Sequence, residues 1–421
     1  MNSHILRVFS ERSFLFLWIG EVFTQIASNL FNFLLILIVF KLTHSNAAVS
    51  GVVLSFTIPA ILFGSIAGVY VDRWDKKTVL MATNIIRAIL LIILIFALNN
   101  IYVIYLISFL FTILVQFFIP AESPMIPLVV KKPLLLQANA LFGLALFGSI
   151  LVAYILSGPL LLLLQPAKTI VLISIMLLVG ALCIWFIKPN YSKSVLTKRK
   201  LNAELNIFHD LKHTLKLISR TRSITQSLFL LALSQTLILI LATIAPGYAA
   251  QILGIPVEQF AIVFVAPAAL GMVVGAVTIV NLFHKHTTKK IITMGIFLSG
   301  FAMLLLPLDS NVVSHTIVQD INMYLPHAFS ITVFHIMVFL AFILGVANSL
   351  VFVPANTKLQ EETSDEFRGK IYGFLNTFVG VLSLIPIILV GGLADIIGVG
   401  SVITGIGLCL IFIGILHVSM K

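Results

Sequence analysis

Residues 64–77 read GSIAGVYVDRWDKK, an apolar stretch that ends in five charged residues within six positions. Only 10% of the 421 residues are charged, so this concentration of charge is unusual for the chain. Gly68 precedes Asp72 by four positions, which places both on one side of a helix. A glycine there lets a second helix approach closely within a membrane. The stretch therefore predicts the inner end of a membrane helix, packed against a neighbour and followed by a charged turn.

The composition places most of the chain in lipid rather than in water. Hydrophobic residues make up 60% of the sequence and the mean hydropathy is +1.14, whereas soluble domains carry about 25% charged residues. Apolar runs of about 20 residues recur, long enough to cross a bilayer as helices, and no continuous alternation of apolar and polar residues indicates a β-barrel. We predict twelve transmembrane helices, at residues 14–40, 47–71, 78–98, 101–122, 137–164, 168–188, 224–248, 259–283, 291–308, 331–354, 371–392 and 400–418.

The basic residues are distributed unevenly between the predicted loops. The formal net charge is +11, yet one side of the predicted topology carries only Lys41 and Lys168. Because Lys and Arg mark the cytoplasmic side, both termini are predicted to lie in the cytoplasm, in a multi-pass protein of the plasma (inner) membrane. We expect anionic lipids of the inner leaflet, and not nucleic acid, to be the partners of this charge.

The sequence divides into two related halves. We predict a six-helix bundle at 1–190, a cytoplasmic linker at 191–223 with an amphipathic helix in 204–219, and a second bundle at 224–421. At a shift of about 210 residues, Pro59 with Gly64 corresponds to Pro267 with Gly271. The predicted fold is therefore all-α and polytopic, with two pseudo-symmetric bundles. Such repeats place a transporter's binding site between them, near the middle of the bilayer.

Polar residues form a stripe along the first predicted helix. Glu21, Gln25, Ser28 and Asn32 recur at helical spacing, so they share a face that we expect to line an aqueous cavity. A carboxylate within a membrane helix is a functional candidate by default. Glu21 is therefore predicted to bind a coupling proton; the alternative is a structural pair with a base such as Arg87.

Arg87 lies within the third predicted helix and requires a partner or an anionic ligand. Glu21 and Glu122 are the candidate partners, and Asn84 adds a neutral polar group one turn away. We predict that Glu21, Arg87 and Glu122 take part in proton coupling, with structural charge pairing as the alternative for Arg87. The residues predicted to line the substrate cavity are Gln25, Ser28, Asn32, Asn84, Gln116, Gln235 and Asn348. Hydrogen bonding between helices is the alternative for the isolated amides.

The cysteines, the histidines and the missing nucleotide-binding motif give no support to a disulfide framework, a metal site or an ATP-driven protein. Cys183 and Cys409 fall inside predicted helices and are interpreted as buried thiols. The histidine pairs at 209/213 and 284/286 lack the surrounding ligands of a metal site, and no GxxxxGK[ST] sequence for ATP is present. We expect no metal and no cofactor, and scattered acids give a membrane enzyme little support.

The motif G-x-x-x-D-R-x-x-K-K resembles the signature loop of the major facilitator superfamily. The match comprises Gly68, Asp72, Arg73, Lys76 and Lys77. Asp75 stands where that family usually has glycine. The resemblance implies that the loop is a latch that stabilises the outward-open state, and its basic residues are also candidates for binding lipid phosphates.

Three further stretches are similar to the macrolide-efflux and siderophore-exporter branch of that superfamily. They are ATNIIRAILLIIL (82–94), FFIPAESPMIPLVV (117–130) and LQEETSDEFRGKIYGFLNT (359–377). Ser157-Gly158-Pro159 also resembles part of the antiporter signature, although leucines replace the glycines that usually follow it.

The resemblance implies a transporter and not an enzyme. The expected function is efflux of a lipophilic or amphipathic small molecule, of drug or macrolide type, by a monomer that the proton gradient drives. A lysophospholipid flippase and a nutrient importer on the same fold are the alternatives.

Overall fold

The computed structural model describes residues 8–189, 221–283, 287–307, 333–363 and 365–419, and within these ranges all regular structure is helical. The predicted amphipathic helix and the histidine pairs at 209/213 and 284/286 lie outside the described residues. Bounds of the long helices are α1 Arg12–Thr43, α2 Asn46–Arg73, α3 Lys76–Ile95, α4 Ile101–Glu122, α5 and α6 together Leu135–Trp185, α7 Arg222–Gly247, α8 Ala266–Phe283, α9 Thr288–Leu305, α10 Val333–Glu361, α11 Asp365–Ile397 and α12 Val399–Ser419.

Short helical turns connect some of these helices. After α4 come a 3₁₀ turn at Ser123–Met125, an α-helical turn at Ile126–Val129 and a second 3₁₀ turn at Lys132–Leu134. Between α7 and α8 lie π-helical turns at Tyr248–Ile252 and Ala261–Val265, with a 3₁₀ turn at Val257–Gln259 between them.

The run Leu135–Trp185 is two helices that meet at Gln165. Gln165 has φ 62° and ψ 165°, outside the helical region, and Pro166 follows it. A straight helix of 51 residues would be about 76 Å long, against about 30 Å of hydrocarbon. Among the described residues eleven helical stretches are long and apolar enough to span a membrane. The stretch that is broken at Gln165 supplies two of the helices, α5 and α6. The twelve predicted spans are confirmed.

Contacts between residues divide the chain into two compact units. The first comprises residues 1–38 and 54–211, and the second comprises 39–53 and 212–421. Residues 39–53 therefore group with the second half of the chain, although the sequence placed them in the first predicted bundle. The end of α1 and the beginning of α2 belong to the second unit.

Each unit has its own apolar core. In the first unit Phe14, Leu17, Leu80 and Phe118 are buried together. In the second, the core is formed by residues that include Leu228, Leu231, Ile292, Val351, Leu359 and Ile371. Many large apolar side chains of both units are exposed, as expected for surfaces that face lipid. Cys183 is half-buried and Cys409 is exposed, so the prediction of a buried thiol is wrong for Cys409, which lies on an outer face of α12.

Helices α8 and α10 of the second unit pack backbone to backbone. A Cβ added at Gly271 would collide with the carbonyl oxygen of Phe342, and one at Gly345 would collide with that of Ala268. Van der Waals contact between small residues holds membrane helices together where the hydrophobic effect between helices is absent. Gly271 was predicted only as one member of the repeat, and its close contact gives it a packing role.

Candidate functional site

Two buried carboxyl groups lie beside each other in the first unit. They belong to Glu21 on α1, which is 2% exposed, and Glu122 at the end of α4, which is 5% exposed. Because two ionised carboxylates at close range repel each other, their proximity favours a proton on one of the two groups. The amide Nε2 of Gln25 also donates to Glu21 Oε1 over 2.6 Å. The arrangement places two carboxyl groups side by side, away from water.

Arg87 lies beside this pair but its direct partners are neutral. Its Nη1 donates to Ser28 Oγ over 3.1 Å, its Nε donates to the Thr83 carbonyl over 3.3 Å, and its Nη2 donates to Asn84 Oδ1. The guanidinium interacts electrostatically with Glu21 and Glu122, although in the described part of the chain it forms no ion pair within 4.0 Å with either. Both predicted partners of Arg87 are therefore near it, without direct charge pairing.

Aromatic rings complete the surroundings of Arg87. Its Cζ lies 4.8 Å from the ring centre of Phe118 and 5.4 Å from that of Phe111. Cations are attracted to the faces of aromatic rings, and the attraction is stronger away from water. Phe111 in turn contacts Phe31 of α1, with ring centres 4.4 Å apart. These contacts hold the guanidinium in place without neutralising its charge.

Asn84 connects α3 to α1. Its Nδ2 donates to Thr24 Oγ1 over 2.9 Å, while its Oδ1 accepts from Arg87. Asn84 and Thr24 are both fully buried, so each bond replaces one that water would otherwise make. An amide can donate and accept at once, which explains why an asparagine suits this position.

Two glycines allow the close approach on which the Thr24–Asn84 contact depends. A Cβ added at Gly180 on α6 would lie 2.6 Å from Thr24 Oγ1 and 3.2 Å from Asn84 Nδ2. A Cβ added at Gly20 on α1 would lie 3.2 Å from the carbonyl oxygen of Gly180. Thr24, Gly20 and Gly180 were not identified from the sequence. The available signal was the four-residue spacing of Gly20 and Thr24 along one helix face.

The other predicted cavity residues are divided between the units. Asn32 in the first unit has a buried Oδ1 without a hydrogen-bond partner among the described residues. The Oε1 of Gln116, also in the first unit, lies next to Gly64, since a Cβ added at that glycine would be 3.5 Å from it. In the second unit Asn348 Nδ2 donates to Ser234 Oγ over 2.9 Å, and both residues line a small internal cavity. Gln235 is partly buried on α7.

Two lysines of the signature loop bind main-chain carbonyls at helix ends. Lys76 is 4% exposed, and its Nζ donates to the Val71 and Trp74 carbonyls. Lys77 Nζ donates to the carbonyls of Trp185 and Ile187, over 2.7 and 2.8 Å, at the end of α6. Cations at helix C-termini satisfy unpaired carbonyls. Lipid binding was the wrong expectation for Lys76, because its side chain is buried.

Asp75 is the N-cap of α3. Its Oδ2 accepts from the Thr78 amide over 2.9 Å and from Thr78 Oγ1 over 2.6 Å. The carboxylate satisfies one of the unpaired amides of the first turn. This role explains why residue 75 is an aspartate, although the superfamily motif usually has glycine at that position.

The predicted helix contact at Gly68 is absent from the described part of the chain, where no atom lies within 4 Å of a Cβ built at that residue. The close approach was therefore wrongly predicted there. The Asp72 side chain lies outside what the structure describes, and Arg73 is exposed. The latch function of the loop stays a prediction.

Asp395 near the end of α11 caps the beginning of α2 within the second unit. It accepts from Ser45 Oγ over 2.6 Å, from the Asn46 amide over 2.7 Å, from Asn46 Nδ2 over 2.9 Å and from the Ala47 amide over 3.0 Å. Ser50 Oγ adds a bond of 2.8 Å to the Ile387 carbonyl. Asp395 was missed from the sequence, although an acid at the end of a long apolar helix was a signal for it.

Comparison with known proteins agrees with this architecture. The family model of the Major Facilitator Superfamily matches residues 17–321. No curated protein matches the chain.

Several solved transporters share the fold at low sequence identity. The nucleoside transporter NupG has a TM-score of 0.72 and 13% identity, covering 97% of this chain and 100% of that chain. A POT family transporter in complex with 5-aminolevulinic acid has a TM-score of 0.69 and 13% identity, covering 97% and 96%. A bacterial homologue of the human lysosomal transporter Spinster has a TM-score of 0.70 and 12% identity, covering 99% and 97%. At these identities the likeness shows the fold alone.

Proposed function

The chain belongs to the major facilitator superfamily and is a membrane transporter of that type, and we propose that it exports a lipophilic or amphipathic small molecule in exchange for protons. The observation that carries this proposal is the adjacent, buried pair of Glu21 and Glu122 beside Arg87. A transporter that uses a proton gradient requires a group that binds and releases a proton away from bulk water. The pair supplies such a group within one unit.

The net charge of Glu21, Glu122 and Arg87 favours the exchange of a proton for a substrate over the permanent binding of a proton. With one proton on the pair, the remaining carboxylate and the guanidinium of Arg87 sum to zero. Loss of that proton leaves two carboxylates in contact, which repel each other at close range. Arg87 is held by neutral acceptors and is not in direct contact with either carboxylate. Deprotonation therefore favours either a rearrangement or the arrival of a cationic or hydrogen-bond-donating group.

The remaining parts of the proposal concern the transport cycle and its setting. Residues 1–190 and 224–421 would rock against each other around a central site, with the signature loop as a latch. The protein would work as a monomer in the plasma (inner) membrane, with both termini cytoplasmic and anionic lipids at its basic face. The proton gradient would supply the energy, and the substrate would be of drug or macrolide type.

Reconstitution in liposomes tests this function. Efflux of a fluorescent lipophilic dye should respond to an imposed pH gradient in the wild type and lose that response in Glu21→Gln and in Glu122→Gln. Glu361→Gln is the matched control, because Glu361 is an exposed glutamate at the end of α10. Dye movement that ignores the gradient in the wild type would contradict proton coupling.

The same liposomes separate the alternatives. Movement of lysophospholipid without a pH gradient would favour a flippase, and accumulation of a sugar, nucleoside or peptide would favour a nutrient importer. A rise in melting temperature with one of these compounds identifies a ligand that binds the folded state.

A further inference from the structure

A recess of about 380 Å³ lies beside Glu258 in the second unit. This volume lies within the usual range for small-molecule sites, about 300–1,000 Å³. The lining residues come from the end of α1 and from the connection between α7 and α8: Phe40, Lys41, His44, Ala250, Ile255, Pro256, Val257 and Glu258.

Glu258 is a buried carboxylate whose ion-pair partner is easy to replace. The residue is 4% exposed, and within the described ranges its only ion pair is with Lys41 Nζ. The Lys41 side chain is 49% exposed. Removing a cation from a buried carboxylate is strongly unfavourable, so Glu258 requires a positive partner. A long, flexible and hydrated lysine is weakly held in a partly exposed pair, so another cation can take its place.

Uncommon backbone conformations surround this carboxylate. The 3₁₀ turn that contains Glu258 lies between the π-helical turns Tyr248–Ile252 and Ala261–Val265. His44, directly after α1, has φ 51° and its amide donates to the Phe40 carbonyl over 2.7 Å, the usual left-handed end of a helix. Single π-helical turns are frequent at functional sites. Two such turns on either side of Glu258 in the chain point to a binding site at this recess.

The chemistry of the lining selects the ligand. Phe40, Ile255, Pro256 and Val257 supply apolar walls, while Glu258 supplies the negative charge. An anion would be repelled by the carboxylate, and a metal ion would find only Glu258 and His44 as ligands in the lining, beside a positive lysine. We propose that the recess binds an organic ammonium ion. Its charged group replaces the Lys41 ammonium at Glu258, and its apolar part packs against Ile255 and Pro256.

This site does not depend on proton-coupled export. All of its residues belong to the second unit, whereas Glu21, Arg87 and Glu122 belong to the first. Ligand binding should respond in opposite ways to two substitutions in the same ion pair. Removing Lys41 takes away a competitor, while neutralising Glu258 takes away the charge that attracts the ligand.

Titration calorimetry with benzylammonium on the full-length protein in detergent tests the proposal. The wild type should bind benzylammonium saturably, and neither benzyl alcohol nor benzoate. Lys41→Ala should lower the Kd by roughly two- to fivefold, as expected for loss of a partly exposed competing pair. Glu258→Gln should abolish saturable binding. Lys290→Ala, at an exposed lysine of α9, and Glu361→Gln should leave the Kd unchanged.

The opposite results would overturn the site. These are equal binding by Glu258→Gln and the wild type, binding of benzyl alcohol as tight as that of benzylammonium, or an unchanged or raised Kd in Lys41→Ala. If Glu258→Gln does not give a monodisperse protein, Lys41→Ala and the two uncharged or anionic analogues decide the question. Loss of pH-driven transport in Glu21→Gln has no bearing on these measurements.

Discussion

The side-chain amide of Asn84 donates to Thr24 Oγ1 over 2.9 Å, and its carbonyl oxygen accepts from Arg87. One asparagine thereby ties α3 to α1 and orients the guanidinium beside the Glu21–Glu122 pair. Asn84 is therefore one of the residues that set the geometry of the proposed proton site.

Replacing Asn84 by leucine should destabilise the protein. Arg87 Nη2 and Thr24 Oγ1 would each lose a buried partner, at about 1–3 kcal/mol per unsatisfied group. Thermal unfolding of the purified protein should show a lower melting temperature than the wild type. Asn376→Leu, at an exposed asparagine of α11, is the control and should change little. Equal melting temperatures for Asn84→Leu and the wild type would remove Asn84 from this structural role.

Gly180→Ala should disturb the same contact from α6. The added methyl would lie 2.6 Å from Thr24 Oγ1, and overpacking of a well-packed interior costs about 1–3 kcal/mol. Gly405→Ala on α12 is the matched control, because no described atom lies within 4 Å of its added Cβ. Alanine is the better helix former by roughly 0.5–1 kcal/mol, so the control should melt no lower than the wild type. The reverse order of the two melting temperatures would contradict the packing described for α1 and α6.

Substitutions at Asp75 distinguish an N-cap from a dispensable charge. Loss of an N-cap side chain to alanine costs about 0.5–2 kcal/mol, whereas glycine costs only a few tenths. Asp75→Ala should therefore melt lower than the wild type, with Asp75→Gly and Asp75→Ser close to it. If Asp75→Ser fell as far as Asp75→Ala, the side-chain bond to Thr78 would not be what stabilises α3.

Asp395→Asn should loosen the beginning of α2 from the second unit. The carboxylate accepts four bonds from Ser45, Asn46 and Ala47, and bonds to a charged acceptor are stronger than bonds to a neutral one. An amide offers one acceptor oxygen and no charge to the amides of a helix N-terminus. Hydrogen–deuterium exchange of peptides covering 45–53 should become faster in Asp395→Asn and stay unchanged in Glu361→Gln. Unchanged exchange in Asp395→Asn would show that other contacts hold this segment.

The number and position of the helices were predictable because every helix that crosses the hydrocarbon of a membrane must be long and apolar. A run of about 20 apolar residues is sufficient evidence for a membrane helix, and the break at Gln165 fell between two predicted spans. The polar face of α1 was predictable for a similar reason, since helical spacing alone places Glu21, Gln25 and Ser28 together. Arg87 was expected near Glu21 or Glu122, because a buried cation requires an acidic neighbour.

The contacts that depend on how helices cross were not predictable. Thr24 and Asn84 meet where Gly20 and Gly180 leave room between α1 and α6. No local sequence pattern reports such a crossing point. Asp395 and Asn46 are far apart in the chain, so their contact leaves no trace in periodicity. At Gly68 a close helix contact was predicted and is not observed, since a small residue permits such a contact but does not produce one.

The central claim is that transport moves a proton through the Glu21–Glu122 pair. Its most direct test is proton movement into or out of liposomes when a transported dye is added without an imposed pH gradient, followed with a trapped pH indicator. The account predicts dye-driven proton movement in the wild type, and downhill dye movement without proton movement in Glu21→Gln and in Glu122→Gln. Full proton movement in both variants would contradict it.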